Sequence, residues 1–141
     1  MVPSRAVEQT LVIVKPDGVE RRLVGEILGR FERKGLRLVA GDLRKIDEAT
    51  ARRHYAEHEG KPFFAELVAF ITRAPSFVGV FEGPPGTWGV VRALMGATNP
   101  AEAAAGTIRG DLATELTQNL IHGSDSAESA KREIGVFFPS R

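Results

Sequence analysis

A segment near residue 122 combines the residue types that a group-transfer site needs. Over residues 119–126, apolar side chains suited to a buried strand end at His122, and a polar run typical of a helix start follows. Asp125 is the expected helix N-cap, with Glu128 three residues later. An imidazole is mostly uncharged and nucleophilic at neutral pH, and helix N-termini attract anions. The segment therefore indicates a nucleophilic histidine near an anion site, although an isolated His-Gly-Ser more often only closes a turn.

Three basic residues stand where their side chains can converge on a cleft. Lys15 ends an apolar run, Arg92 lies late in a predicted helix, and Arg109 lies in a glycine-flanked segment. Each alone is typical of a solvated surface charge. Together with His122 they suit a polyphosphate, because guanidinium groups bind phosphate oxygens bidentately. The sequence has no P-loop motif, so any nucleotide must be held by scattered side chains.

A short histidine motif suggests a different chemistry. His54, Glu57 and His58 match the H-x-x-E-H pattern of inverted zinc proteases, with the two histidines one helical turn apart. A catalytic zinc needs a third protein ligand, and nothing in the chain clearly supplies one. We therefore expect no protein-bound metal here. A solvated helix with one histidine turned toward a pocket is the preferred interpretation.

Composition limits the partners and the location. With 141 residues, 43% of them hydrophobic and 26% charged, the chain is typical of a single globular domain over residues 1–141. A net charge of +1 gives no footprint for a specific nucleic acid, and the lack of cysteine excludes disulfides and thiolate metal sites. No apolar run approaches a membrane span, and residues 1–9 lack the apolar region of a signal peptide. We expect a cytoplasmic protein without a membrane partner.

Hydrophobic spacing predicts the elements that must position these residues. Continuous apolar runs predict strands at 10–14, 36–40 (extending toward Ile46), 77–81, a short run ending at His122, and 136–138. Helical spacing predicts helices at 23–34, 47–58 with Asp47 as N-cap, 63–72, 87–94 and 126–134. Turns are expected at 15–18 and 83–86, and a loop over 96–118.

The order of these elements predicts the fold. Without the helical pair at 48–72, the order is β-α-β-β-α-β, so we predict an α+β, ferredoxin-like fold with an antiparallel sheet. Its two βαβ halves place both crossover helices on one face of the sheet. The helical pair is an insertion, and the other face is left to inserted segments or to a partner subunit.

Seven motifs follow one another as they do in the nucleoside diphosphate kinases. They are K-P-D-G at 15–18, E-R-K-G at 32–35, H-Y-A-E-H at 54–58, K-P-F-F at 61–64, G-A-T-N-P at 96–100, G-T-I-R-G-D at 106–111 and N-L-I-H-G-S-D-S at 119–126. The resemblance extends from about residue 8 to residue 138, and the last motif is highly specific to that family. It implies a ferredoxin-like fold, in agreement with the element order, and assembly as a homotetramer or homohexamer.

The resemblance also implies catalytic roles for residues at matching positions. His122 resembles the residue that is phosphorylated during turnover, and Glu133 resembles the carboxylate that orients its ring. Ser124 and Tyr55 resemble hydroxyl groups placed beside that histidine, and Lys15 also contributes to the catalytic set.

The implied nucleotide contacts come from several motifs. Phe63 resembles the aromatic residue on which the base stacks, with Leu67 and Leu116 lining the other side. Lys15 and Asn119 resemble ribose and phosphate contacts. The remaining phosphate-binding positions are matched by His58, Arg92, Thr98 and Arg109. Because stacking engages a π-face that every base shares, purine and pyrimidine nucleotides, ribo and deoxy, should all be substrates.

The implied reaction is a two-step, ping-pong transfer. A ring nitrogen of His122 attacks the terminal phosphate of a nucleoside triphosphate, typically ATP, and a second nucleoside diphosphate then removes the phosphoryl group. Which ring nitrogen attacks stays open at this point. The implied cofactor is Mg²⁺, held mainly by the nucleotide phosphates and water, so no residue is a firm metal ligand and Asp125 is at most an indirect one.

The sequence departs from the family pattern at a few positions. Arg22 stands where a glycine is common, and Ala105 where a proline often precedes Gly-Thr-Ile-Arg. The segment 83–91 is one residue longer than usual. We expect the loop at 83–86 to absorb that residue, so that a helix begins at Thr87 and Arg92 points into the cleft with Arg109.

A non-enzymatic ferredoxin-like module is the competing interpretation. Such a module would bind a nucleotide or a protein partner through the same cleft. A module without chemistry need not keep a complete catalytic set. The set is intact here and favours the enzyme: Lys15, Arg109, Asn119, His122 and Glu133.

Overall fold

The computed structural model describes residues 6–140. Four strands in this range form one sheet. The strands are β1 (Glu8–Val14), β2 (Arg37–Arg44), β3 (Ser76–Gly83) and β4 (Ile121–Gly123). Their order in the sheet is β2-β3-β1-β4, and every neighbouring pair is antiparallel. With β1 and β3 in the centre, this is the predicted ferredoxin-like arrangement, so the predicted fold class is confirmed.

Seven α-helices lie within the described residues. They are α1 (Pro16–Glu20), α2 (Val24–Arg33), α3 (Glu48–His54), α4 (Phe64–Thr72), α5 (Thr87–Met95), α6 (Ile108–Leu112) and α7 (Ala127–Phe137), with 3₁₀ turns at Ala56–His58 and Pro100–Glu102. Helices α2 and α5 are the predicted crossovers, and α3 and α4 are the predicted inserted pair. No helix in residues 6–140 has the length and apolar character needed to span a membrane.

Strand β1 is buried on both faces because its side chains alternate between two hydrophobic clusters. Val12 and Val14 belong to the cluster beneath α2 and α5, and Leu11 and Ile13 belong to the cluster beneath α3, α4 and α7. All four side chains are fully buried. The face that the sequence left to inserted segments or a partner is therefore covered by the chain's own inserted pair and by α7.

The prediction of a C-terminal strand at 136–138 is wrong. Helix α7 continues to Phe137, and Phe138 is its C-cap. Phe137 is buried in the cluster that contains Leu11 and Ile13. A short apolar run does not distinguish a strand from a buried helix end, and packing against the sheet decides in favour of the helix.

Two short helices stand where a turn and a loop were expected. Helix α1 begins at Pro16, whose fixed φ and missing N–H suit the first helical position. Helix α6 lies inside the predicted 96–118 loop and is capped by Thr107, whose hydroxyl accepts from the Gly110 N–H. The predicted Asp47 cap is confirmed, since its carboxylate accepts from the Thr50 N–H at 2.7 Å. However, the helix that it starts ends at His54 rather than at His58.

Candidate active site

The position of His122 follows from the pairing of β4 with β1. His122 lies opposite Ile13 in this register, and directly opposed residues on paired strands share a face of the sheet. Ile13 belongs to the cluster beneath α3, α4 and α7, so the His122 side chain lies on that face. The side chain is 25% exposed, which leaves part of the ring accessible to a substrate.

A buried carboxylate holds one nitrogen of the His122 ring. Nε2 of His122 lies 2.7 Å from Oε1 of Glu133, and the Ser124 hydroxyl donates to the same oxygen at 2.9 Å. Burial by itself raises the pKa of the Glu133 carboxyl, but the hydrogen bonds from His122 and Ser124, with the neighbouring imidazoles, outweigh it and lower the pKa. Glu133 is therefore ionised and can only accept. The hydrogen is on Nε2, which leaves the lone pair on Nδ1.

The start of α7 differs from the prediction by one residue. Ser126, not Asp125, is the N-cap, and its hydroxyl accepts from the Ser129 N–H at 2.9 Å. Both residue types cap helices well, so a sequence with adjacent Asp125 and Ser126 does not fix the choice. Asp125 is exposed and lines the cleft in front of His122.

His54 is a site residue whose place the sequence did not reveal. It ends α3, is 3% exposed, and its ring lies 4.6 Å from the His122 ring at an angle of 86°. Burial, and then the neighbouring His122, lower the pKa of His54 to about 3. The ring is thus a neutral, buried partner of His122. A polar helical segment gives no signal for such burial.

The H-x-x-E-H motif does not form the zinc site that its pattern resembles. The helix is broken at Tyr55, so His54 ends α3 while His58 lies in the following 3₁₀ turn. Both histidines line the cleft with His122, rather than one alone as expected. Glu57 lies 3.8 Å from the His58 ring nitrogen and stays largely exposed.

Lys15 and Asn119 form a linked pair beside the strand that carries His122. Lys15 directly follows β1 and donates from Nζ to the side-chain oxygen of Asn119. The amide nitrogen of Asn119 donates to the carbonyl of Thr98 at 3.0 Å. Burial chiefly lowers the pKa of Lys15 to about 8, Arg109 acts in the same direction, and Asp17 opposes it. These hydrogen bonds bring three predicted nucleotide contacts together: Lys15, Thr98 and Asn119.

Arg109 anchors the segment that leads into β4. Arg109 is 4% exposed, and its guanidinium donates to the carbonyls of Gly96, Asn119 and Ile121. Burial, and then the charge of Arg92, lower the pKa of Arg109 to about 10. The three bonds use three of its five N–H groups, so two donors remain for a phosphate.

Arg92 lies in the same cleft as His122. Helix α5 begins at Thr87, as expected, directly after Gly86, which adopts a left-handed φ of 95°. Arg92 donates to the carbonyl of Gly123 at 3.0 Å. A Cβ on Gly123 would lie 2.5 Å from the Met95 sulfur, so a larger residue there would displace the Met95 side chain where α5 packs against β4.

An exposed aromatic side chain lies next to His58, which lines the cleft. Phe63 is 43% exposed, and its ring lies 5.3 Å from that of His58. Leu67 is four residues later, so it lies on the same side of α4 as Phe63. Leu116 is 58% exposed and lies in the separate segment between α6 and β4. A solvent-facing phenyl ring of this kind can stack on a base.

The cleft in front of His122 has a volume of about 180 Å³. It joins an imidazole with a free nitrogen, an ionised carboxylate behind that imidazole, and the guanidinium of Arg92, whose charge is opposite to that of a phosphate. These features, on a ferredoxin-like sheet, are those expected of a phosphotransferase. The residues that line it are His54, Tyr55, Glu57, His58, Arg92, His122, Gly123, Asp125 and Glu133.

Comparison with known proteins gives the family. Residues 8–141 match the family model described as nucleoside diphosphate kinase. A nucleoside diphosphate kinase of Parafrankia sp. is 59% identical over 132 residues, which cover 94% of this chain and 96% of the relative. The chain therefore belongs to the nucleoside diphosphate kinase family, and its activity is the transfer of phosphate between nucleotides by the ping-pong mechanism of that family.

Solved structures agree with this assignment. The crystal structure of a nucleoside diphosphate kinase family protein from Babesia bovis superimposes with a TM-score of 0.91 at 47% identity, covering 94% of this chain and 89% of that one. A halophilic nucleoside diphosphate kinase from Halobacterium salinarum, in complex with CDP, gives a TM-score of 0.90 at 53% identity, covering 94% and 88%. The predicted family, activity and fold are thereby confirmed. Members of the family bind nucleoside di- and triphosphates, and a divalent metal is expected with them.

Proposed function

We propose that His122 carries the phosphoryl group between the two half-reactions and attacks through Nδ1. The observation that supports this proposal is the 2.7 Å contact between Nε2 and the buried, ionised carboxylate of Glu133. That contact fixes one tautomer and aims the other ring nitrogen away from the carboxylate. Ser124 supports the arrangement by donating to the same Glu133 oxygen.

The proposed steps balance without an external proton donor. The Nδ1 lone pair forms a bond to the terminal phosphorus, and the bond from that phosphorus to the bridging oxygen breaks. The nucleoside diphosphate leaves with that electron pair. The ring becomes a cation whose Nε2 proton stays hydrogen-bonded to Glu133, and the carboxylate charge stabilises it. A terminal oxygen of a second nucleoside diphosphate then attacks the same phosphorus, the bond from phosphorus to Nδ1 breaks with its electron pair returning to the ring, and the histidine becomes neutral again.

Positioning and electrostatics supply most of the acceleration in phosphoryl transfer. We assign the charge on the phosphoryl oxygens to Arg92 and Arg109, and the ribose and adjacent phosphate to Lys15 and Asn119. His58 and Thr98 complete the proposed phosphate contacts, and the Tyr55 hydroxyl is proposed to lie beside His122. Arg92 lies on α5, Arg109 lies on α6, and Lys15 directly follows β1.

The divalent metal that the family needs is proposed to be Mg²⁺. Mg²⁺ prefers oxygen ligands and keeps several waters, so it is commonly held by substrate phosphates with few carboxylates. The carboxylates that line the cleft fit this mode. Glu133 is hydrogen-bonded to His122 and is not free to bind a metal, and Asp125 is the exposed carboxylate nearest in sequence to that histidine. After chelation, activity should return with Mg²⁺ alone. A requirement for zinc would instead assign a catalytic metal to His54, Glu57 and His58.

The proposed substrates are nucleoside tri- and diphosphates of any base, ribo or deoxy, with ATP the typical donor and GTP among the others. Phe63 offers a face on which purines and pyrimidines stack alike, and Leu67 and Leu116 are proposed to line the other side of the base. The Halobacterium salinarum relative was solved with CDP, a pyrimidine nucleotide, which supports this breadth.

We further propose a homotetramer or homohexamer, which size-exclusion chromatography with light scattering would distinguish. The resemblance of the whole chain to the family supports this assembly. Cytoplasmic location, without a membrane or nucleic-acid partner, stays a prediction.

The decisive experiment is brief incubation with γ-radiolabelled ATP and Mg²⁺, followed by mapping of the protein-bound label. The label should lie on Nδ1 of His122, be stable in alkali and labile in acid, as a phosphorus–nitrogen bond requires, and be absent in His122→Ala. Ser124→Ala should still be labelled on His122. Label on Ser124 would overturn the mechanism, and no label in the wild type would favour a binding module.

A further inference from the structure

Three potential metal-ligating atoms converge at the base of the cleft. A ring nitrogen of His54, a ring nitrogen of His122 and a carboxylate oxygen of Glu133 all lie within 4.8 Å of one another. His54 comes from α3, His122 from β4 and Glu133 from α7, so three separate elements build the cluster. Phosphoryl transfer accounts for His122 and Glu133 but gives no role to His54.

His54 is the unusual member of the cluster. It is 3% exposed, and neither ring nitrogen has a hydrogen-bond partner among residues 6–140. Buried polar atoms are nearly always paired, and one that is not calls for a reason such as an ion or a functional role. Its ring meets the His122 ring edge-to-face at 4.6 Å. An unpaired buried imidazole is thus aimed at the proposed nucleophile.

We propose that His54, His122 and Glu133 form an inhibitory site for a transition-metal ion such as Zn²⁺. Two imidazole nitrogens and one carboxylate oxygen form an established ligand set for zinc, with a fourth position left open. At zinc–ligand distances of about 2.1 Å, tetrahedral ligands lie about 3.4 Å apart, so small side-chain rotations would close the cluster. Mg²⁺ prefers oxygen ligands and does not compete for this site.

Metal binding stops the nucleophile whichever ring nitrogen of His122 it uses. If Nδ1 binds the ion, the attacking lone pair is occupied. If Nε2 binds it, the ring proton moves from Nε2 to Nδ1, and Nδ1 loses its free lone pair. In both cases the ring is left without a free lone pair on Nδ1 with which to attack a phosphate. This consequence rests on the proposed role of His122, whereas binding of the ion does not.

Neighbouring charges make the site reversible. Glu133 attracts a cation, but the Arg132 guanidinium lies 3.8 Å from its other oxygen and Arg92 lines the same cleft. Positive charges at such distances oppose a divalent ion in a partly buried site. The ion should therefore exchange with solution and not copurify in stoichiometric amount.

Nitrogen NMR of ¹⁵N-histidine-labelled wild-type protein tests the site directly, because the chain has three histidines. Titration with Zn²⁺ should shift the ring nitrogens of His54 and His122 together and leave those of His58 unchanged. Shifts confined to His58, or no shift of His54, would overturn the proposal. This measurement needs no variant, so it does not depend on how well a substituted core folds.

Two variants test the same site by calorimetry. His54→Phe keeps a ring against Tyr55 and Phe137 but has no ligand atom, and His58→Gln removes the histidine outside the cluster. Zinc affinity should persist in His58→Gln. In His54→Phe the zinc affinity should fall by more than about tenfold. A fall of roughly tenfold is what loss of a residue that only hydrogen-bonds to a metal ligand can cause. Equal affinity in His54→Phe would contradict the proposal.

Labelling with γ-radiolabelled ATP then tests inhibition. With excess Mg²⁺ and free Zn²⁺ at ten times its dissociation constant, formation of the phosphorylated protein should slow about tenfold, and chelation should restore it. Labelling that stays fast while His54 and His122 bind the ion would overturn the inhibitory role. If His122 were not the nucleophile, it would stay unlabelled even without zinc, whereas zinc would still shift its NMR signals. Failure of the proposed function is therefore distinguishable from failure of the metal site.

Discussion

The carboxylate of Asp17 accepts a hydrogen bond at 3.0 Å from the backbone N–H of Leu120. Asp17 is 3% exposed, and Leu120 has a φ of 75°, in the left-handed region that leucine rarely adopts. The Lys15 N–H donates to the Leu120 carbonyl at 2.8 Å. The segment after β1 therefore holds both polar backbone groups of Leu120 and fixes the chain two residues before His122.

Replacing Asp17 by alanine should destabilise the protein and misplace His122. A buried N–H left without its acceptor costs about 1–3 kcal/mol, and the left-handed conformation of Leu120 loses its restraint. Urea unfolding and turnover with ATP would measure the two effects. Asp17→Asn is the matched control because it keeps an acceptor oxygen, and it should retain most of the stability. Unchanged stability of Asp17→Ala would show that this bond does not hold Leu120.

Asp17 and His54 show where prediction from the sequence stops. The K-P-D-G motif predicts a turn, because a helix of five residues is too short to show hydrophobic periodicity. The hydrogen bond of Asp17 is not predictable either, because Leu120 is 103 residues away in the sequence. His54 lies in a polar segment, and its burial depends on packing against α7 and β4. Long-range contacts of this kind leave no local pattern in the sequence.

Elements whose burial is encoded locally were predictable. The continuous apolar residues from Leu11 to Val14 predicted a strand, and the helical spacing that begins at Leu23 predicted α2. Short apolar runs are the exception, because they predict a strand at Phe137 although this residue ends α7. The candidate cleft residues came mainly from family resemblance, since no spacing rule links Lys15 to Asn119.

Replacing Glu133 by glutamine should slow phosphorylation of His122 by roughly a hundredfold, because loss of one preorganised electrostatic contact in a transition state costs about 3 kcal/mol. The amide can still accept from Nε2, but it carries no charge to stabilise the cationic ring. Rapid-quench labelling measures the rate, and Glu128→Gln, on the exposed first turn of α7, is the control. Equal rates for Glu133→Gln and wild type would exclude an electrostatic role.

Lys15 should make both stability and activity depend on pH above 8. Its pKa is about 8 in the folded protein against an ordinary value of 10.5, so between these values the unfolded state binds more protons and stability rises with pH. The slope is at most about 1.4 kcal/mol per pH unit. Over the same range kcat/KM should fall, because neutral Lys15 no longer attracts phosphate. Urea unfolding and kinetics from pH 7.5 to about 10 check both trends, and Lys15→Met should lose both. Parallel profiles for Lys15→Met and wild type would assign the trends to other groups.

Removing the exposed ring of Phe63 should weaken binding of every nucleotide by a similar factor. Stacking on an aromatic side chain is worth about 1–3 kcal/mol per base and does not read the base edge. In Phe63→Ala, KM should therefore rise for adenine, guanine and cytosine substrates alike, whereas Phe63→Trp should retain binding. Steady-state kinetics with each nucleotide provides the comparison. A loss confined to one base would mean that the site reads base edges.

Variants of Arg92 test whether α5 places this side chain where it can contact a phosphate. Because α5 begins at Thr87, Arg92 reaches the cleft and spends one of its five N–H donors on the Gly123 carbonyl. A charge-assisted phosphate contact is worth about 1.5–3 kcal/mol, so Arg92→Ala should lose roughly tenfold or more in kcat/KM. Arg92→Lys keeps the charge but not the planar fork, and it should recover part of the loss. Arg33→Ala removes the same charge from a side chain that is 71% exposed on α2, and its kinetics should match the wild type. Unchanged turnover and nucleotide affinity in Arg92→Ala would show that this arginine serves only to tie α5 to β4.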